Sequence, residues 1–229
     1  MQFSIIIPTL NEAEGISAFL TALQPLRSAA EMIVVDGGSV DNTPMLASGL
    51  VDRVISSAAG RARQMNCGAD LATGEILVFL HADTFLPENA LQLIAEEISN
   101  DKPWGRFDVY LIGKPLMLKV VATLMNWRSR LTGIATGDQV IFVKREVFFC
   151  AGQYPEIALM EDITLSKTLK RIAHPICLSA KVTSSGRRWE RNGVWKTIIL
   201  MWWLRWRYAM GADPKTLAEL YRSGKFWKP

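Results

Sequence analysis

Residues 76–80, Ile-Leu-Val-Phe-Leu, form an unbroken apolar run that stops on His81-Ala82-Asp83. Five apolar residues bounded by polar ones fit a central strand of a parallel sheet, buried on both faces. Such a strand obliges the chain to supply helices above and below the sheet. The run therefore constrains the fold more than any other stretch, and its ending raises a chemical question: why a core strand should finish on a histidine and a carboxylate two residues apart.

The flanking sequence supplies the helices. Residues 2–8 read as a strand, and residues 11–27 as a helix with Ile16, Leu20 and Leu23 on one face. Residues 32–35 are the next strand, ending on Asp36-Gly37-Gly38-Ser39, with a short helix after Asp41. Residues 53–56 are a weak strand and 60–71 a helix through Ala62, Met65 and Ala69. Pro87 opens a helix over 87–98. Strands alternating with helices at this spacing indicate an α/β fold with a mainly parallel sheet and helices on both faces. Beyond Asp101 the pattern loosens: strands over 107–112 and 140–143, and helices over 116–131, 163–172, 195–208 and 214–221. The expectation is one domain over 1–190, its first 100 residues a nucleotide-binding half and 101–190 an acceptor-handling half. A helical C-terminal extension covers 191–229.

Charge separates the two ends. Residues 181–229 hold 11 Lys/Arg against 3 Asp/Glu, a balance of +8, while residues 1–180 stand at −4. Trp189, Trp195, Trp202, Trp203 and Trp206 are interleaved with the basic residues. That mixture suits contact with a membrane surface or a nucleic acid, and equally a core helix with a solvated face; charge alone supports the nucleic acid, and no nucleic-acid partner is expected. The apolar stretch 198–204 is far below the ~20 residues needed to span a bilayer. Cys67, Cys150 and Cys177 are far apart, with no CxxC pair. This argues for a reduced, cytoplasmic protein, peripheral on the inner face of the membrane if the C-terminus binds it. Met1 to Pro8 reads as a first strand, not a signal peptide.

Ligands of open parallel sheets bind beyond the carboxyl ends of the strands. Three strands end there on polar clusters: Pro8-Thr9-Leu10-Asn11-Glu12, Asp36-Gly37-Gly38-Ser39 and His81-Ala82-Asp83-Thr84. Like charges gathered on one edge repel, and a divalent cation or a hydrogen-bond-donating base would relieve them. Taken singly, each cluster is also a plain turn or helix cap.

In this order, SIIIPTLNE, IVVDGGSVDNT, GEILVFLHADT and MEDITLSKTLKR resemble the family-2 glycosyltransferases of GT-A fold. GRARQMNCGADLATGE resembles a short bacterial subgroup of that family. The resemblance implies a nucleotide-sugar donor, with a UDP-sugar expected and GDP the alternative. It implies Mg²⁺ or Mn²⁺, with Asp83 matching the last acid of a DxD motif and binding a cation that bridges the diphosphate. His81 replaces the first acid; it ligates Mn²⁺, contacts the nucleotide, or is a packed strand-end histidine. Asp36, with Gly38 and Ser39, matches the turn that receives the base, and Pro8, Thr9, Asn11 and Glu12 the first base-and-ribose loop. Arg61 and Arg63 precede Asn66, and Met65 stands where the family often carries Arg. One of the arginines, Arg63 by expectation, then reaches the diphosphate. Ala82 lies between the two DxD positions.

Inverting glycosyl transfer needs a base on the acceptor side to take the proton of the attacking hydroxyl. Glu161-Asp162 match the family's acidic base motif, with Asp162 as the base and Glu161 positioning the acceptor. A helix N-cap is the plainer use of two such acids. Arg188-Trp189 resemble the end of the Q/R-x-x-R-W motif of processive synthases, but Ser185 holds the leading position, so polymer synthesis is not expected. Asp138, in Gly137-Asp138-Gln139, is a further acceptor-side candidate. The acceptor is unassigned, with a lipid or isoprenoid suggested by the basic, Trp-rich end. The competing expectation is a non-catalytic nucleotide-sugar or membrane-surface binding module of the same fold.

Overall fold

A computed structural model describes residues 1–224 and 226; the side chain of Arg188 lies outside the described part. Eight strands form one sheet: β1 Phe3–Thr9, β2 Ala30–Asp36, β3 Arg53–Ser56, β4 Ile76–Phe79, β5 Thr84–Phe85, β6 Trp104–Ile112, β7 Ile141–Lys144 and β8 Ile176–Ser185. Their order across the sheet is β3-β2-β1-β4-β7-β6-β8-β5. The first four are mutually parallel, β7 runs antiparallel to β4 and to β6, β8 is parallel to β6, and β5 is antiparallel to β8. The parallel N-terminal half is as the sequence implies; the reversal at β7 is what turns the sheet into a mixed one.

The helices are α1 Ile16–Leu23, α2 Thr43–Ala47, α3 Arg61–Leu71, α4 Ala90–Glu97, α5 Met117–Thr132, α6 Arg145–Cys150, α7 Glu161–Ile172, α8 Arg187–Asn192, α9 Val194–Ala209 and α10 Pro214–Ser223. Alternation of side chains along the strands divides the core. Ile5, Ile7, Met32, Val34 and Val78 face one layer with α1, α4 and α5. Ile6, Ile33, Val35, Leu77 and Phe79 face the other, with α3, α6 and α7. A third cluster joins Met160 and Ile163 to Leu200, Leu204, Leu217 and Leu220. The C-terminal helices thus pack onto the start of α7, beside the Glu161-Asp162 pair.

The helices expected from residue 11 and from Pro87 begin late, at Ile16 and Ala90, and one strand was not expected. The helix expected over 11–27 begins only at Ile16, because residues 10–15 are drawn into a loop. Asn11 sits at φ +55°; the N–H groups of Asn11, Glu12 and Ala13 donate to Ser39 Oγ, Thr43 Oγ1 and Asp41 Oδ2 at 2.8, 2.8 and 3.1 Å. Strand β8 carries Ser and Thr among its apolar residues and gives no clean alternation, yet it is a ten-residue strand beside β6.

A buried polar network ties α5 to the sheet. Asn126 Oδ1 accepts from Val109 N–H at 2.8 Å and Asn126 Nδ2 donates to Val109 O at 3.0 Å. Gln139 Nε2 donates to Asn126 Oδ1 at 3.3 Å. Buried Arg106 pairs with Asp108, which also receives Arg130 at 2.8 Å.

Candidate active site

The carboxyl ends of β1, β2 and β4 lie together at one edge, where Thr9 is the register partner of Asp36. Helix α3 fastens that edge: Gln64 Nε2, buried, donates to both Thr9 O and Val35 O at 2.8 Å. Gly37 is small because a Cβ there would meet the Gln64 amide at 3.0 Å. Sequence reasoning missed Gln64; no local pattern marks a glutamine that reaches across two strand ends.

Two clefts open from this edge. The first, of about 590 Å³, is lined by Pro8, Thr9, Glu12, Arg61, Arg63, His81, Ala82 and Asp83. Gln64, Glu156 and the α10 cations Lys215 and Arg222 complete its wall. The structure thus brings most of the sequence-expected donor residues into one concave, polar space. Asp83 carries a side chain 37% exposed and lies 3.7 Å from the guanidinium of Arg187, which also reaches Glu12 at 4.0 Å. Burial, opposed by Arg187, raises the Glu12 carboxyl above its ordinary value.

Asp36, Gly38, Ser39, Asn11 and Asn66, also expected at the donor, are not among the residues that line this cleft. The Asp36 carboxylate accepts from Gly38 N–H, Ser39 N–H and Ser39 Oγ–H at 2.9, 2.8 and 2.5 Å. Three donors of its own turn occupy most of the four lone-pair sites of a carboxylate, so here Asp36 builds the turn. Asn11 Oδ1 accepts from Val40 N–H at 2.9 Å and locks the two strand-end loops together. Asn66 is buried and exchanges two hydrogen bonds with the Tyr154 backbone at 2.9 and 3.0 Å. Arg63 is paired with Glu156 at 3.0 Å, and it is Arg61 that turns toward the acids.

The second cleft, of about 430 Å³, is mainly apolar. Val121, Leu124, Met125, Trp127 and Leu131 of α5 face Ile198, Met201 and Trp202 of α9 across it. Its floor holds Asp138, Glu161 and Asp162, and Trp189 and Tyr221 stand in its wall. Arg61 and His81 line both clefts, so the two spaces meet at these side chains.

The acid pair opens α7, with Met160 in the left-handed conformation just before it. Asp162 accepts from Gly137 N–H at 2.9 Å and from Ile163 N–H at 2.7 Å, one bond per oxygen. These fix the carboxylate and leave lone pairs on the cleft side. Burial raises the Asp162 pKa against those two bonds and against Arg61 and Arg128. Burial and the neighbouring Asp162 push Glu161 up to about 7. Burial and the proximity of the two carboxylates thus hold both acids above their ordinary range.

His81 sits against Gly137, whose N–H donates to Asp162. A Cβ on Gly137 would overlap His81 Nε2, which explains the glycine at the start of Gly137-Asp138-Gln139. Burial and Arg61 push the imidazole down to about 3, so it is neutral, and its packing against Gly137 fits the reading of a strand-end histidine. Arg128 was invisible in the sequence as a site residue. Its guanidinium Nε and Nη2 are buried without partners beside Asp162. Arg187, Lys215 and Arg222 were legible only as part of a basic C-terminal segment.

The donor set suits a cation that arrives with its ligand. Among the described residues no three of His, Cys, Asp and Glu gather closely enough to hold a metal ion alone. Magnesium-type ions use one or two carboxylates plus substrate phosphates, and half-exposed Asp83 in a polar cleft fits that requirement. Trp189 and Asp138 both line the apolar cleft; Arg188 lies in α8 with its side chain outside the described part.

Comparison with known proteins agrees with this geometry. The model of Glycosyl transferase family 2 matches residues 4–148. The chain belongs to this family. A "PGL/p-HBAD biosynthesis glycosyltransferase" of Mycobacterium bovis is 40% identical to this family-2 chain over 110 residues, 44% of this chain and 43% of the relative. The match thus spans under half of that relative's length. Among solved structures, a mannosyltransferase from Pyrobaculum calidifontis in complex with GDP-Man and Mn²⁺ superposes with a TM-score of 0.62 at 21% identity, covering 80% of this chain and 56% of that one. Staphylococcus aureus TarS in complex with UDP-GlcNAc gives 0.64 at 19% identity, covering 81% and 58%. At these identities the likeness speaks to the fold, which is the GT-A glycosyltransferase fold.

Proposed function

We propose that this family-2 glycosyltransferase transfers a sugar, with inversion, from a UDP-sugar to the hydroxyl of an acceptor with a sizeable apolar part, such as a lipid or isoprenoid. The observation that carries the reading is the junction of two unlike clefts. A polar, cation-walled cleft and an apolar one share Arg61 and His81, with Glu161 and Asp162 on the apolar side. Donor and acceptor would approach from opposite sides, as in-line displacement requires.

In this reading Arg61, Lys215 and Arg222 balance the diphosphate charge, and Gln64 keeps the strand-end loops in register. Asp83 would hold Mg²⁺ or Mn²⁺ together with the diphosphate; that cation supplies Lewis-acid help to the leaving group when bound. Asp162 takes the proton of the acceptor hydroxyl as its oxygen attacks the anomeric carbon. Glu161 orients that hydroxyl. Arg128, buried beside Asp162, favours the ionised form of the base. The raised acid pair favours an enzyme over a purely binding module, for which such a pair would be an unneeded cost.

Calorimetric titration of UDP and of GDP, each with Mn²⁺ and with EDTA, tests the donor half. Metal-dependent binding of UDP is expected. Preference for GDP would change the donor, and binding unaffected by EDTA would remove the cation from the reading.

A further inference from the structure

Helices α5 and α9, counted with their capping residues Leu116 and Met210, each expose a stripe of large apolar side chains. On α5 these are Leu116, Val120, Leu124, Trp127 and Leu131, 47–80% exposed. On α9 they are Trp195, Ile199, Trp202, Trp206 and Met210, 57–75% exposed. Steps of three and four place each set on one helical face. The rest of each helix is accounted for by the core: Leu118, Val121 and Ala122 of α5 are buried, with Val194 and Ile198 of α9 packed against the same cluster.

The two stripes border a single opening. Leu124, Trp127 and Leu131 from one helix, and Trp202 from the other, are both exposed and part of the apolar cleft wall. Isolated exposed apolar residues need no explanation, but ten of them on two helices around one cleft form a patch.

Charge says what covers it. Residues 109–137 and 191–212 contain no Asp or Glu and eight Lys or Arg. Lys114, Lys119, Arg191 and Lys196 are exposed and lie near the N-terminal ends of the two helices. Those ends are held together, because Glu190 accepts from Lys114 N–H at 2.6 Å. Arg128 turns into the cleft and Arg130 pairs with Asp108. An apolar, tryptophan-rich face whose one end carries four exposed cations against the single acid Glu190 is complementary to acyl chains beneath anionic headgroups. A second copy of the chain would set these cations against themselves.

We propose that α5 and α9 form a two-helix face that lies in the surface of an anionic lipid bilayer and opens the apolar cleft toward its acyl region. The face does not span: no helix among the described residues is long and apolar enough to cross a membrane. It differs from a membrane-binding C-terminal tail, because half of it comes from α5, inside the family-2 fold. Joined to the transfer reading above, on which this step rests, it delivers a lipid acceptor from the bilayer to Asp162.

The test is flotation of the full chain with vesicles of phosphatidylcholine alone or with one third phosphatidylglycerol, at low and high salt. Flotation with the anionic vesicles is expected, weakened by salt. Lipids brominated in the acyl chain should quench the tryptophan fluorescence, which adsorption by charge alone would not do. Val120→Glu with Ile199→Glu, both exposed and outside the cleft wall, should reduce flotation by about tenfold or more, each substitution setting a carboxylate against acyl chains and anionic headgroups. UDP titration of the same variant shows that it is folded and reads the donor site separately. No flotation at low salt, flotation without quenching, or equal flotation of the variant would overturn the proposal. So would a dimer in light scattering that the variant dissolves, since a second copy would then be the occupant. A failure of UDP binding would count against the transfer reading and leave the face standing.

Discussion

At the scale of single residues the site is a problem of protons. Asp162 is held by two backbone N–H groups and faces the apolar cleft. Asp162→Asn keeps the shape and one of the two acceptor contacts, since its amide nitrogen cannot accept, and removes the base. Turnover should fall on the order of 10²–10⁴-fold, the usual worth of a general base, while UDP affinity stays within about twofold. Steady-state rates and calorimetry on one preparation check this; retained turnover would move the base elsewhere. Glu161 behaves differently, because burial and Asp162 raise it to about 7. Between the ordinary glutamate range and about pH 7 the folded chain holds a proton that the unfolded chain has lost. The contribution of Glu161 to stability is therefore greatest at low pH and declines as pH rises through that window. Glu161→Gln should flatten this decline and leave the variant more stable above neutrality by on the order of 1–3 kcal/mol. Thermal melts at acid and mildly basic pH measure it; an unchanged pH dependence would show that Glu161 is not the proton holder.

At the scale of elements, the strand-end edge depends on α3. Gln64 satisfies the carbonyls of Thr9 and Val35 in a buried place. Gln64→Met preserves length and removes the amide from both carbonyls, while Thr9 O keeps its bond from Gly37 N–H at 2.9 Å. The expected loss is about 1–2 kcal/mol, from two hydrogen bonds lost in a buried place, with weaker UDP binding as the two loops part. Chemical denaturation and UDP titration check the two effects; a variant as stable as the parent would mean water replaces the amide. Here the limits of sequence reading are physical. The run at 76–80 and the polar ends at Asp36 and Asp83 were legible because burial and turn chemistry act on neighbours in sequence. Gln64, Arg128 and Arg187 were not, because each earns its place through partners 55, 34 and more than 100 positions away. Strand β8 was hidden because Ser and Thr interrupt its apolar pattern, and the N-terminal turn of α1 was lost to side chains of Ser39, Asp41 and Thr43 that no local rule anticipates.

At the scale of the whole molecule, the two charge-separated ends of the chain meet at the polar cleft. The N-terminal portion, net acidic, contributes Glu12 and Asp83; the basic C-terminal portion returns Arg187 from α8 and Lys215 and Arg222 from α10. The extension is thus a wall of the site as much as an appendage, held by Leu217 and Leu220 against Met160 and Ile163 at the start of α7. Lys215 and Arg222 are the cations α10 contributes to that wall, and a diphosphate in the cleft would draw on both. Lys215→Gln with Arg222→Gln should weaken UDP binding by about tenfold or more, the worth of one or two charge-assisted hydrogen bonds. The loss should shrink as salt rises, because screening removes the same attraction from the parent. The α10 fold itself should persist, since its N-cap bond from Thr216 N–H to Asp213 Oδ2 at 3.0 Å and its buried leucines are untouched. Calorimetric UDP titration of parent and variant at two salt concentrations decides the matter. Equal affinities would mean that α10 closes the cleft by shape alone, and Arg61 would then be left as the principal partner of the diphosphate.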